Sequence, residues 1–190
     1  MIQLKEAVGY ANLFDFYELD KTLGKGQFGL VKLATHKKTG QKVAIKTVKK
    51  KDMKPIDVFQ QRREIEILKM CQHPNIIKLI DIFENADYYY IVLEYMEGKD
   101  LFDYLLKRNF KISEARAREL AFQIAQGLQY MHSYGIIHRD LKLENIMMTD
   151  GSDKAVPKIV DFGLSKILGP SEKATEPFGT LSYCAPEVLK

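Results

Sequence analysis

Residues 138–145, His138-Arg139-Asp140-Leu141-Lys142-Leu143-Glu144-Asn145, hold the densest chemistry of the 190-residue chain. Asp140 is the candidate general base, Lys142 a cation two residues on, and Asn145 an oxygen donor five residues on. Phosphoryl transfer needs an oriented hydroxyl, a cation on the moving phosphate and a metal ligand, and this stretch can supply all three. Apolar runs flank it, Tyr134-Gly135-Ile136-Ile137 before and Ile146-Met147-Met148 after, so it reads as a pinned loop. A second acidic motif, Asp161-Phe162-Gly163, follows the short apolar strand Lys158-Ile159-Val160. A charged triplet on a solvated turn can arise by chance. Eight residues in this order, followed by Asp-Phe-Gly, fit that reading poorly.

Together these residues resemble the catalytic loop and metal-binding motif of the eukaryotic protein kinases. The elements that must position them can be taken in chain order. From Tyr17 the pattern alternates as a strand, and Thr22-Leu23 leads into Gly24-Lys25-Gly26-Gln27-Phe28-Gly29. Leu30-Val31-Lys32-Leu33-Ala34 continues as a second strand. A lone GxGxxG is weak, but its dinucleotide version must open a helix. The β-like residues here disfavour an NAD(P) site and suit a glycine hairpin over phosphates, where any Cβ would collide. Gln41 to Lys46 reads as the next strand. A lysine closing an apolar strand is costly unless paired or turned to solvent, and Val43-Ala44-Ile45-Lys46 matches the family's phosphate-gripping lysine. Residues 57–70 read as a helix with an apolar stripe of Val58, Ile65, Ile67 and Leu68. The family register makes Glu64 the partner of Lys46 and leaves Glu66 exposed.

Residues 76–83 and 88–93 read as strands, with Tyr88, Tyr89 and Tyr90 as strand packing. Leu93 to Asp100 resembles the link between lobes. The resemblance implies adenine bonded by the backbone at Glu94 and Met96, Leu93 at the back of the pocket, and Met147 as the floor. Asp100 falls where the family places an acid near the ribose; it equally suits the N-cap of a helix from Leu101. Ser113 caps a helix to about Tyr134, with Leu120, Ile124, Leu128 and Met131 at core spacing. Asp150 to Pro157 is a surface turn without the spaced ligands of a calcium loop. Leu164 to Pro177 is polar and closes on Phe178-Gly179-Thr180-Leu181-Ser182-Tyr183-Cys184-Ala185-Pro186-Glu187, which resembles the family's activation segment.

The resemblance covers residues 17–190. It implies an α+β, protein-kinase-like bilobal fold: a β-rich N-lobe over 17–93, a hinge over 94–100, and a helical C-lobe over 101–190, truncated after the activation segment. Residues 1–16 form an extension. It implies ATP and Mg2+ between the lobes, contacted by Leu23 through Val31, Ala44, Lys46, Glu64, Glu94, Met96, Asp100 and Met147, with Asn145 and Asp161 on the metal. Asp140 then accepts the proton of the substrate hydroxyl, and Lys142 neutralises charge on the phosphoryl group. Lys142 in its loop resembles serine/threonine kinases. Leu101-Phe102-Asp103, Leu143-Glu144-Asn145 and Tyr183 to Leu189 resemble the calcium/calmodulin-dependent group. The implied partners are protein substrates with basic residues upstream of the target, met by Asp100 and Glu144. Arg139 would pair with the activation segment; the family's phosphosite position is here Glu176, with Thr175 adjacent as the rival. The Thr180 hydroxyl would sit near Asp140 and Lys142. The family continues with helices and an Arg partner for Glu187. The expectation from their absence is a fragment or shortened product, poorly folded alone, or a silent nucleotide-binding or scaffold module. A regulatory domain outside the chain is compatible with this.

Composition narrows the classes. An apolar fraction of 46% with 28% charge is globular, not disordered. Lys plus Arg is 29 against 25 for Asp plus Glu, a net +4 too mild to point to nucleic acid. The lysines between Lys37 and Lys54 read as a solvated face, with only Lys46 inside a motif. Cys71 and Cys184 form no CxxC, which favours a reducing compartment and no cysteine metal site. There is no apolar run of membrane-spanning length and no secretory pattern at the N-terminus. A soluble cytoplasmic protein is expected.

Overall fold

The computed structural model describes residues 12–26, 29–176 and 178–189. They fall into two compact units. One runs up to Pro55 and adds Leu79–Tyr95; the other takes Ile56–Lys78 and continues from Met96. Strands dominate the first and helices the second, the α+β architecture expected above.

The first unit is a five-stranded antiparallel sheet. Its strands are β1 (Tyr17–Gly26), β2 (Gly29–His36), β3 (Lys42–Lys49), β4 (Leu79–Glu84) and β5 (Tyr88–Glu94), in the order β1-β2-β3-β5-β4. Side chains alternate between faces along a strand. Ala34, Val43, Ile45 and Val92 therefore share one face and form a buried core with Leu13 and Tyr17. Val31, Ala44, Lys46 and Leu93 take the opposite face. There Val31 pairs across with Lys46, and Ala44 with Leu93. A Cβ at Gly29 would strike the Thr47 carbonyl of β3, so strand pairing itself demands glycine there.

A short helix, α1 (Leu13–Phe16), precedes the sheet, where the sequence pattern assigned no element. Asn12 caps it by accepting the Phe14 N–H at 3.1 Å. Leu13 is buried, Phe14 meets the Tyr90 ring, and Phe16 meets Phe83. The Lys37 ammonium donates to the Phe14 carbonyl at 2.7 Å. Packing against the sheet makes up for a segment too short to be helical alone.

The helices of the second unit are α2 (Pro55–Met70), α3 (Leu101–Leu106) and α4 (Glu114–Ser133). Helix α2 buries Glu64, Ile65, Ile67 and Leu68 and leaves Glu66 exposed beside Lys69. Ser113 caps α4 by accepting the Arg116 N–H at 3.2 Å. Leu120 and Met131 of its stripe are buried, while Ile124 and Leu128 are half-buried. Two-residue or three-residue strands flank the loops: β6 (Ile136–Ile137) pairs with β9 (Lys166–Ile167), and β7 (Ile146–Met148) with β8 (Pro157–Ile159). The strand expected over 76–83 begins only at Leu79. Ile76 and Ile77 are drawn instead to β8, where Ile77 N–H donates to the Ile159 carbonyl at 3.0 Å. Their buried side chains find core there rather than in the sheet. No helix among the described residues is long and apolar enough to cross a membrane.

Candidate active site

Strands β6 and β7 bracket residues 138–145, and their partners β9 and β8 flank Asp161. The loop is thus tied at both ends. His138 anchors its interior. The ring is 3% exposed and packs on Phe162 with centroids 5.5 Å apart. Nε2 lies 2.9 Å from the Val160 carbonyl, and Nδ1 lies 3.3 Å from the Asp140 N–H. One neutral tautomer satisfies both: Nε2–H donates and Nδ1 accepts. Burial lowers the ring's pKa below the ordinary histidine value, outweighing the Val160 carbonyl and the Asp161 and Asp140 charges that pull it up. A depressed pKa makes the neutral ring part of the fold's stability above about pH 6.5, and that share is lost as pH falls toward the folded pKa. Nitrogen NMR should show an Nε2–H tautomer still neutral at a pH where exposed histidines are half protonated. An imidazolium at that pH would disprove the assignment.

Asp140 is the centre of a compact polar cluster. Its side chain is 12% exposed. Oδ1 accepts the Thr180 hydroxyl at 2.5 Å. Oδ2 meets the Lys142 ammonium at 2.9 Å and the Asn145 amide at 3.0 Å. The same Asn145 Nδ2 donates to the Asp140 carbonyl at 2.8 Å, and Lys142 donates to Thr180 Oγ1 at 2.9 Å. Burial pushes the Asp140 pKa up. The Thr180 hydroxyl, the Lys142 ammonium and the Asn145 amide outweigh it, so the carboxyl stays below the ordinary aspartate value. Lys142 moves the other way: the Asp140 carboxylate, working against burial and joined by Glu144 and Asp161, holds it above the ordinary lysine value. The result is an ionised carboxylate that already accepts a hydroxyl, with a cation alongside.

Two residues at the cluster adopt left-handed backbone without being glycine, Arg139 at φ 68° and Asp161 at φ 62°. Such conformations cost about 1–3 kcal/mol each and persist where surroundings enforce them. At Asp161 the carboxylate turns back to accept the Gly163 N–H at 3.3 Å. Asp161 is exposed, and its charge is felt at both Lys142 and His138. Because Asn145 spends its amide nitrogen on Asp140, its Oδ1 remains an acceptor. An amide oxygen and a carboxylate are the hard donors that Mg2+ takes, one or two per ion, with phosphate and water completing the shell. Among the described residues no cluster of three His, Cys, Asp or Glu exists; this donor set does not call for one.

The other expected site residues lie as follows. Lys46 and Ala44 lie on the face of β3 opposite the sheet's core, with Val31 paired across from Lys46. Leu23 and Leu30 are exposed at 40% and 39%. Gln27 and Phe28 lie outside the described residues. Glu64 is buried and accepts the Gln61 amide at 2.8 Å. Glu94 ends β5, and Met96 is buried. Asp100 caps α3, accepting the Asp103 N–H at 2.8 Å, and its backbone bridges to Met147. Arg139 reaches Glu176 at 3.1 Å. The share of Lys166 and Glu172 in that contact has no sequence signal, because it depends on how the segment folds back.

The sequence matches the protein kinase domain family over residues 17–190. A probable myosin light chain kinase of Dictyostelium discoideum is 41% identical over all of this chain and 49% of its own length. A second one from that organism is 40% identical over 99% of this chain and 54% of its own. The SNF-related serine/threonine-protein kinase of Rattus norvegicus is 38% identical over 91% of this chain and 23% of its own. The chain thus spans about half the length of the first two relatives. Matched over residues 17–190, the chain belongs to the protein kinase domain family.

Proposed function

We propose that this chain acts as a serine/threonine protein kinase, passing the γ-phosphoryl group of Mg-ATP to a hydroxyl of a protein substrate. The observation that carries the reading is the Asp140 carboxylate, ionised, accepting a hydroxyl at 2.5 Å with the Lys142 ammonium at 2.9 Å. A substrate hydroxyl would take the same kind of bond. As its oxygen joins the phosphorus, its proton passes to Asp140, and the bond to the ADP oxygen breaks. Lys142 offsets charge on the transferred group. Asn145 Oδ1 and the Asp161 carboxylate would hold the metal, which when bound neutralises phosphate charge. Lys46, with Glu64, would hold the phosphates, and the backbone at Glu94 and Met96 the adenine. Little covalent chemistry falls to the protein; its work is positioning and charge.

Exposed Glu144 and half-buried Asp100, whose Oδ2 is not used in the cap, would favour basic residues upstream of the target. The test is phosphate transfer from labelled Mg-ATP to a peptide library with Ser, Thr or Tyr acceptors. Label on Ser and Thr, enriched in peptides with upstream Arg, is expected, and Glu144→Ala should weaken that enrichment. Nucleotide binding without transfer would leave the silent-module reading standing. Label confined to Tyr would overturn the acceptor class.

A further inference from the structure

The turn between β7 and β8 reads in sequence as plain surface, yet three of its carbonyls are each met by a side chain from a neighbouring helix region. Tyr104 of α3 is 3% exposed, and its hydroxyl donates to the Ser152 carbonyl at 3.3 Å. Arg108, just past α3, donates from Nη2 to the Gly151 carbonyl at 3.1 Å and from Nη1 to the Tyr104 carbonyl at 3.2 Å. The second bond also closes one of the carbonyls that α3 leaves open at its end. Arg116 of α4 donates from Nη2 to the Ala155 carbonyl at 2.5 Å and from Nη1 to Glu119 at 2.8 Å. Both guanidinium groups lie against the Tyr104 ring, Arg108 at 3.7 Å from its centroid and Arg116 at 5.9 Å, within reach of a cation–π attraction. Arg108 also pairs with Asp153 at 2.8 Å, but that carboxylate is 88% exposed. Exposed pairs contribute little, so the hold on the turn rests on its carbonyls.

The same turn carries the chain that follows β5. The Glu97 and Gly98 N–H groups donate to the Thr149 carbonyl at 3.0 and 3.3 Å, and the Met148 N–H donates to the Lys99 carbonyl at 2.9 Å. A Cβ at Gly98 would strike the Met148 and Asp150 carbonyls, so the two backbones touch directly. Asp100 then bridges to Met147. Thr149 closes the turn across its base: its N–H donates to the Val156 carbonyl at 3.0 Å, and its Oγ1 accepts the Val156 N–H at 2.9 Å. The turn is thus joined to α3 and α4 through side chains and to residues 97–100 through backbone. We infer that Tyr104, Arg108 and Arg116 are positioning residues: by gripping three carbonyls of the β7–β8 turn they fix where residues 97–100 and Met147 stand, and so set how tightly the site takes ATP.

This rests on the kinase reading, in which Met147 lies beneath the adenine and the backbone at Met96 bonds it. Arg108→Met keeps an apolar stem and removes the donors. Two measurements on the full chain decide the matter. In hydrogen exchange, the Glu97 and Gly98 amides should exchange about tenfold faster in Arg108→Met, with α2 unchanged, as the loss of bonds holding their acceptor predicts. Unchanged exchange at those two amides, or faster exchange throughout the chain, would overturn the grip whatever the activity. In turnover, KM for ATP should rise about three- to tenfold while kcat stays within twofold, because a smaller competent fraction weakens apparent affinity without touching the reacting groups. A fall in kcat with KM unchanged would overturn it as well. Asp153→Asn, which removes only the exposed charge, should leave KM within about twofold. A rise as large as that of Arg108→Met would place the hold in the ion pair and refute the carbonyl grip. A parent chain that transfers no phosphate at all would sink the kinase reading, while exchange at Glu97 and Gly98 would still decide the grip by itself.

Discussion

Asp140→Asn is expected to lower phosphoryl transfer by about 10²–10⁴-fold, the range a positioned general base contributes, while nucleotide binding is largely retained. The substitution is nearly isosteric, so the loop need not collapse. What changes is the sense of two contacts. In the parent, Oδ2 accepts from both the Lys142 ammonium and the Asn145 amide, and Oδ1 accepts the Thr180 hydroxyl. An amide has one oxygen, so at least one position now presents N–H to a donor, and no atom remains that can take the proton of an attacking hydroxyl. Metal and phosphate contacts are assigned elsewhere, to Asn145 Oδ1, Asp161 and Lys46, which is why binding should survive. The pH behaviour separates this from simple misfolding. Since Asp140 is held below the ordinary carboxylate value, its favourable contacts are present above about pH 3.9 and are lost as pH falls through the folded pKa. The variant should lack that share of acid sensitivity. Full activity in the variant, with an intact melt, would rule Asp140 out as the base.

The elements around this cluster were readable for a physical reason. Period-two alternation from Tyr17 and the short apolar, aromatic run over 88–93 mark strands, and the structure forms β1 and β5 there. Ser113, followed by apolar residues at helical spacing, marks α4. Alternation could not show where Ile76 and Ile77 would go. Two adjacent apolar residues fit a strand or a core plug equally, and only the proximity of β8 decides it. Nor could it show α1, which owes its helix to the pocket that receives Leu13. The site followed the same divide. Asp140, Lys142 and Asn145 lie within one short loop, so local spacing was enough to bring them together. The left-handed turn at Arg139 runs against the ordinary preference of its residue type, while aspartate, as at Asp161, adopts that region more readily than most residues. At Arg139 the turn is held from a distant segment, the Arg139 Nε–H donating to the Leu164 carbonyl at 2.6 Å. Residues that act across such distances leave no mark on periodicity.

Glu176 is where that long-range chemistry should have its largest consequence. Arg139 is nearly buried, 7% exposed, immediately before the proposed base Asp140. Its guanidinium lies over the Phe178 ring at 4.7 Å and meets the Glu176 carboxylate at 3.1 Å. The other Glu176 oxygen lies 3.5 Å from Lys166, which also pairs with Glu172 at 3.1 Å; Glu172 in turn accepts the Gly169 N–H at 3.0 Å. The glutamate's own backbone N–H lowers its pKa first, and against burial Lys166 and Arg139 lower it further. It is therefore ionised at working pH without any modification. A phosphoryl group at this point would bring nearly two charges and three acceptor oxygens, against one charge and two oxygens here. The shortfall is visible: Arg139 Nη2 is buried without a hydrogen-bond partner among the described residues. The Lys166–Glu172 contact compensates by tying the same segment from its other side. The expected result is a chain active when made without an upstream kinase. Thr175→Ala should change its rate less than twofold, whereas Glu176→Ala should lower it about tenfold by shifting the segment away from its ordered state. Glu176→Arg should lower it further, since it sets like charges against Arg139 and Lys166. Rates measured before and after phosphatase treatment check the first part, and the three variants check the second. If Thr175→Ala is inactive while Glu176→Ala is not, the segment depends on a phosphate at Thr175, and the carboxylate at Glu176 is a bystander.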